Sequence, residues 1–246
     1  MSKPSDYFEK ICLRPKFTRN LLKRLYQKRT INLFGAAGTG KKRLVADLKG
    51  NPLSNLKIVT IRFEGYSKDY EGFFQNLCQA ADIEPHEKIK GINHIFEKLA
   101  AKHERVIFIL DDFERFLKPI QDPGYLDFHN QLNALRGIQK LSILLVTQEP
   151  IGKRMVEIAG KRYESIIASE EVRLPPLSQD VIEKEIERIS LNKNIQFMER
   201  AKIAIYIDQK PCPYERLKYY MSYLNDDQGL CGEDLNSMLE KLDGQF

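Results

Sequence analysis

No stretch of 18 consecutive apolar residues occurs anywhere in the 246-residue chain, so no membrane-spanning helix is expected. The N-terminus, MSKPSDYFEK, is polar and mixed in charge and lacks the apolar segment of a secretory signal. Cysteine is scarce. Cys12, Cys78, Cys212 and Cys231 stand far apart, without the close pairs of a zinc site or the density of a disulfide scaffold. Reduced thiols and a cytoplasmic setting are the expectation. Histidine is equally scarce: His86, His94, His103 and His129 fall in helix-rich or loop segments and read as surface or packing residues. There is no internal repeat, no low-complexity tract, and no evident nucleophile–base pair for small-molecule hydrolysis.

Acid is missing from one place in particular. Arg14, Lys16, Arg19, Lys23, Arg24, Lys28 and Arg29 follow one another with no Asp or Glu between them, while the C-terminal third carries most of the compensating acid. The net charge is only +5, so the uneven distribution says more than the total. Such a basic face suits a nucleic-acid backbone or an acidic protein, and it equally suits a solvated helix face.

What is present is a regular alternation of short apolar runs and helical periodicity. TINLF (30–34), LKIVTIRF (56–63), RVIFILDD (105–112), LSILLVTQ (141–148) and the run closing at Pro175 and Pro176 (169–174) read as strands. Helical spacing marks 17–28, 41–49, 69–82, 87–103, 125–139 and 150–160. After Pro176 the pattern is wholly helical, over 178–191, 195–208, 213–224 and 233–242. Unbroken apolar strands separated by helices predict an α/β fold with a parallel sheet covered on both faces. A boundary near 175 would separate an α/β domain (1–175) from a helical lid (176–246).

The chemistry gathers at the strand ends. LFGAAGTGKKRLVADL (33–48) is a glycine-rich turn between strand and helix, and Gly35, Gly40 and Lys41 fit the phosphate-binding pattern G-x-x-x-x-G-K-[ST]. Backbone N–H groups of Gly35, Ala36, Ala37, Gly38, Thr39, Gly40 and Lys41, with the start of the following helix at Lys42 and Arg43, would form an anion nest. The last place of the pattern departs: Lys42 stands where Ser or Thr would ligate Mg²⁺. About 70 residues on, VIFILDD ends in Asp111, which would face a metal, and Asp112, which would polarise the attacking water. The fourth strand ends in Thr147 and Gln148, where a hydroxyl or amide can sense the γ-phosphate.

Taken together these segments resemble STAND-type and related AAA-like P-loop ATPases of the additional-strand class. FTRNLLKRLYQKRTINLFGAAGTGKKRLVADL is similar to their opening, and VIFILDDFERF with DFHNQLNALRG to their acidic strand and the helix after it. ILLVTQEPI is similar to their fourth strand, and EVRLPPLSQDVIEKEI and KPCPYERLKYYMSYL to their lid. The resemblance implies a five-stranded parallel sheet ordered 5-1-4-3-2 and ATP or ADP as ligand, with Mg²⁺ at Asp111. It also implies Pro213 against the base, Arg19 near the nucleotide's edge, and a protein partner or homo-oligomer. Arg136, Arg154 and Arg162 are candidates for an arginine acting in trans. Besides Lys42, Asp112 stands where many relatives have Glu, and Pro211 where the lid has glycine. A second ammonium at position 42 repels a metal and attracts phosphate, so binding survives more easily than turnover. The expectation is a nucleotide-dependent switch or scaffold with weak or absent hydrolysis. The alternative is a DNA-associated ATPase, of transposon or origin-loader type, using the Arg14–Arg29 stretch.

Overall fold

The computed structural model describes residues 4–27, 29–51, 53, 55–63, 69–84, 91–152, 155–164, 169–189, 197–225 and 235–246. Lys28, His86, Arg154 and Cys231 lie outside these residues, as does the start of the helix expected from 87.

In chain order the elements are helices α1 (Pro4–Ile11) and α2 (Pro15–Tyr26), strand β1 (Thr30–Phe34), α3 (Lys41–Lys49), β2 (Leu56–Arg62), α4 (Tyr70–Ala80), α5 (Ile92–Lys102) and β3 (Arg105–Asp111). Then come α6 (Gly124–Ala134), β4 (Leu141–Thr147), β5 (Met155–Ile158), β6 (Lys161–Glu164) and β7 (Glu170–Arg173). Four helices close the chain: α7 (Gln179–Ile189), α8 (Phe197–Asp208), α9 (Pro213–Asn225) and α10 (Leu235–Gln245).

Five strands form one parallel sheet in the order β2-β3-β4-β1-β7, which is the expected 5-1-4-3-2 read from the other edge. The register pairs Phe34 with Thr147 and with Arg173, and Arg62 with Asp111, so the carboxyl ends of the strands come level along one edge. In an open α/β sheet that edge is where ligands bind.

Side chains on a strand alternate between faces, and the central strands bury both sets. Val106, Phe108 and Leu110 of β3, with Ile143 and Leu145 of β4, join a core roofed by α4, α5 and α6. Ile107 and Ile109, with Leu144 and Val146, face the opposite core under α1, α2 and α3. A third core belongs to α7–α10 and takes in Leu177, and Leu13 from the N-terminal segment packs into it. Leu174 is still part of the second core, so core membership changes just past β7.

Three segments depart from the expected elements. Residues 4–11 form α1, whose Phe8 is buried and whose Tyr7 hydroxyl donates to the Asp47 carbonyl at 2.7 Å. The segment around 150–160 is not a helix but an antiparallel hairpin, β5–β6. Its turn residues Ala159 and Gly160 both have positive φ, 49° and 75°, as a tight two-residue hairpin turn requires. Val156 and Ile158 are buried with period two, and Ile120 exchanges backbone hydrogen bonds with Glu157 and Ala159. A short apolar run satisfies either period, and here the pairing with Ile120 decides it. The segment expected as one helix over 125–139 is α6 followed by a 3₁₀ turn, Leu135–Gly137.

The C-terminal helices are tied to α3 by buried charge. Arg43 Nε donates to Asp47 Oδ1 at 2.7 Å, Nη1 to Glu185 Oε1 at 2.7 Å, and Nη2 to the Ile11 carbonyl at 2.6 Å. Glu185, in α7 and buried, also accepts two bonds from Arg188, and Asp47 Oδ2 accepts from Leu13 N at 2.9 Å. Removing one member of a buried ion network strands the others without a counter-charge. Glu185→Ala is therefore expected to lower stability by about 3 kcal/mol, read as the urea midpoint, with Glu185→Gln losing less.

Candidate functional site

Between β1 and α3 the chain turns through 35–40, and two of its glycines are needed for their conformation. Gly38 (φ +71°) and Gly40 (φ +93°) occupy the left-handed region that side chains disfavour. Gly40 is the residue before α3, and its carbonyl starts the helix by accepting from Leu44 N. The turn is braced from within: Gly35 N donates to the Thr147 carbonyl at 3.2 Å, and Thr39 Oγ1 to the Ala36 carbonyl at 2.8 Å. Lys41 Nζ donates to the carbonyls of Gly35 (2.5 Å) and Ala36 (2.9 Å). Burial holds the Lys41 ammonium below its ordinary pKa, opposed by the charges of Glu114, Asp111, Asp112 and Glu215.

The acidic strand end lies across the cleft. Asp111 is buried, and burial, reinforced by the Asp112 charge, raises its pKa above the usual carboxylate value. Its Oδ1 accepts from the Asp112 backbone at 3.1 Å, and Asp112 itself has φ +55° at the start of the 3₁₀ turn Phe113–Arg115. Arg62, at the end of β2, places Nε 3.1 Å from Asp112 Oδ2 and 3.6 Å from Asp111 Oδ2. Glu114 is raised chiefly by burial and holds a buried Oε2 with no hydrogen-bond partner.

The lid supplies the third wall. Tyr214 N and Glu215 N, in the first turn of α9, donate to the Gly38 carbonyl at 3.0 and 3.4 Å. Cys212, between Pro211 and Pro213, has φ +55°, and a Cβ on Gly38 would lie 2.4 Å from the Cys212 Cβ. The resulting cleft of about 200 Å³ is lined by Ala37, Gly38, Gly40, Lys41, Lys42, Asp111, Asp112, Gln148, Tyr214, Glu215 and Lys218. A larger concavity at the end of α4, lined by Gln75, Asn76, Gln79, Asp82, Ile83 and Glu84, has no glycine turn and no cation among those residues.

Several residues expected here are engaged elsewhere. Thr147 is buried, and its Oγ1 accepts from Asn32 Nδ2 (2.8 Å) while donating to the Glu149 carbonyl (2.7 Å); Gln148 is the one that reaches the cleft. Arg43 belongs to the lid network, and Gly35, Ala36 and Thr39 serve the turn's internal bonds. Pro213 opens α9 without joining the lining, where Tyr214 stands instead. Arg19 pairs with Glu9 at 2.8 Å and lies over the Phe8 ring, away from the cleft lining. Of the arginines considered for action in trans, Arg136 bonds Asn133 and Arg162 pairs with Glu157 on the hairpin.

The arginine that does reach the turn is Arg14. It is 5% exposed, its Nη2 donates to the Thr39 carbonyl at 2.8 Å, its Nε donates to the Pro175 carbonyl at 3.1 Å, and its Nη1 is buried without a partner. Burial lowers its pKa to about 10. Arg14, Glu114, Arg62 and Lys218 were not singled out from the sequence as members of this site. Register could have flagged Arg62, because it pairs with Asp111 across two adjacent strands. Nothing local marks Arg14 apart from the other cations around it. That basic stretch is largely engaged: Arg14 is buried, Arg19 meets Glu9, and Arg24 and Arg29 both pair with Glu170. Lys16 and Lys23 remain exposed.

No protein-family model and no curated protein matches the chain. Solved structures do. A Walker-type ATPase of Pyrococcus abyssi is similar with a TM-score of 0.58 at 14% identity, over 92% of this chain and 70% of that one. A chain of the HORMA:CdnC:Trip13 complex of E. coli MS115-1 gives 0.54 at 12% identity, over 97% and 85%. A DNA replication initiation factor gives 0.51 at 12% identity, and this chain spans 91% of itself and 62% of that protein. With the sheet order and the glycine turn, these likenesses show a P-loop ATPase fold.

Two outcomes follow from the geometry. Gly38→Ala forces a side chain onto Cys212 in a left-handed backbone, so the amides of Tyr214 and Glu215 are expected to lose hydrogen-exchange protection while β3 and β4 keep theirs. Arg14→Ala removes the brace on Thr39 and Pro175 and should cost about 2 kcal/mol in thermal or urea unfolding, and Arg14→Lys should not restore it, because an ammonium lacks the planar fork.

Proposed function

We propose that the chain binds ATP or ADP at the Gly35–Lys41 turn and uses it as a nucleotide-dependent switch or scaffold for a protein partner or a second copy, with slow or absent hydrolysis. The observation that carries this reading is the contact between turn and lid. The Gly38 carbonyl caps the first amides of α9, and Glu215 and Lys218 of the same helix enter the cleft beside Lys41 and Lys42. Phosphates in that cleft would meet the lid directly, and their charge would change how the lid sits. The cleft, at about 200 Å³, is smaller than the roughly 300–1,000 Å³ of sites that enclose a whole small molecule. It suits the phosphates alone, so seating the base as well calls for the lid to move. That is the behaviour of a switch.

Slow turnover fits the acidic end. Asp112, the expected base, is held by Arg62 at 3.1 Å, which ties up the carboxylate that would polarise water. The STAND-type resemblance supports the same use of a lid as reporter. The DNA-associated reading gains less from the geometry, because Arg14, Arg19, Arg24 and Arg29 are already engaged within the protein. Among the described residues no helix is long and apolar enough to cross a membrane.

Nucleotide content and turnover of the purified chain test this. Wild type is expected to bind ADP and ATP with little hydrolysis, and Lys41→Ala to weaken binding at least about tenfold. Lys42→Thr, which restores the hydroxyl, should hydrolyse faster in Mg²⁺. A wild-type chain that binds neither nucleotide would overturn the proposal. A DNA affinity that falls steeply with salt and is lost on neutralising Lys16 and Lys23 would favour the alternative.

A further inference from the structure

An AAA-like P-loop fold implies Mg²⁺ between the acidic strand end and the phosphates. The side chains present do not fit that ion. Mg²⁺ demands near-octahedral oxygen ligands at close range and usually shares them with a Ser or Thr hydroxyl of the turn. Here that place is Lys42, in the first turn of α3, which lines the same cleft as Asp111 and Asp112 and stabilises the Asp111 carboxylate charge. The other side of the acidic pair is taken by Arg62, whose Nε lies 3.1 Å from Asp112 and 3.6 Å from Asp111. The two carboxylates are thus paired with the Arg62 guanidinium and share their cleft with the exposed Lys42 ammonium, so a divalent ion would have to displace Arg62 and settle near an ammonium. Among the described residues no group of three or more His, Cys, Asp or Glu converges to hold a metal.

The same arrangement suits a polyphosphate without a metal. Lys41, Lys42 and Lys218 line the cleft together with Asp111, Asp112 and Glu215; Arg62 pairs with the two aspartates, and the amides of the glycine turn and the start of α3 add partial positive charge on the lysine side. We propose that this turn binds the phosphates of a nucleotide independently of any divalent cation, with the Lys42 ammonium supplying charge where the metal would otherwise sit and Arg62 holding the acidic pair. This deepens the nucleotide-binding reading and rests on it. It also gives a reason for weak hydrolysis, since no metal is placed to polarise the γ-phosphate.

The test is calorimetric titration of ADP into the full chain, once in EDTA and once in Mg²⁺, with Lys42→Thr alongside. Wild-type Kd values in the two buffers are expected to agree within about threefold, whereas Lys42→Thr should weaken about tenfold in EDTA and recover in Mg²⁺. The wild-type comparison needs no variant to fold. Manganese(II) with ADP serves as a second probe, read by its electron paramagnetic resonance against the protein-free Mn–ADP spectrum: wild type should add no protein-bound manganese signal, and Lys42→Thr should add one. Wild-type affinity that drops about tenfold on chelation would overturn this inference and leave nucleotide binding standing. Absence of ADP binding in both buffers would overturn both.

Discussion

The carbonyl of Gly38 accepts hydrogen bonds from the first turn of α9, and the arrangement of the site depends on that contact. A helix begins with amides that have no partner inside the helix, and it carries partial positive charge there. Satisfying them with a carbonyl from the glycine turn joins α9 and the turn through backbone, at a distance no side chain at position 38 would allow. Pro211 and Pro213 flank Cys212, whose positive φ aims α9 at the turn. Tyr214, Glu215 and Lys218 then reach the cleft because they fall on one side of the same helix.

Around this joint the protein places several charged pairs, and they differ in purpose. Arg43, Asp47, Glu185 and Arg188 are matched cation to carboxylate and fasten α7 to α3. Among the described residues Arg14 has no contacting carboxylate and is held by the carbonyls of Thr39 and Pro175, which makes it a brace for the turn. Lys41, with its pKa lowered by burial, bends back onto the Gly35 and Ala36 carbonyls. Arg14 and Lys41 thus bring two cations to the glycine turn whose hydrogen bonds go to carbonyls, with Lys41 also in the field of Glu114, Asp111, Asp112 and Glu215.

The distribution of basic residues shows what local sequence leaves out. Seven cations without an intervening acid read as an external surface, and Lys16, Lys23 and Arg29 are exposed, but Arg14 is buried and Arg24 and Arg29 meet Glu170 on β7, well over a hundred residues away along the chain. Thr147 shows the same. It closes a buried strand beside the turn, as a phosphate sensor would, but Asn32 on the neighbouring strand and the Glu149 carbonyl take up its hydroxyl. In both cases the partner lies on an element that only strand order brings near.

The sequence by itself determined the five apolar strands along the chain, the glycine turn with Lys41 and Lys42, the acidic end at Asp111 and Asp112, and the change to helices after Pro176, while the lateral order of the strands came only with the family resemblance. These are short-range signals: apolar runs, glycine conformations and charged residues at the ends of strands, each legible within a dozen residues. The tertiary structure decided what those signals meet. Arg62 reaches Asp111 and Asp112 because β2 and β3 pair in register, Arg14 lies under Thr39 because the N-terminal segment packs into the lid core, and residues 155–164 pair as strands because Ile120 bonds to their backbone. Each of these depends on contacts between residues distant in sequence, and local periodicity carries no record of such contacts.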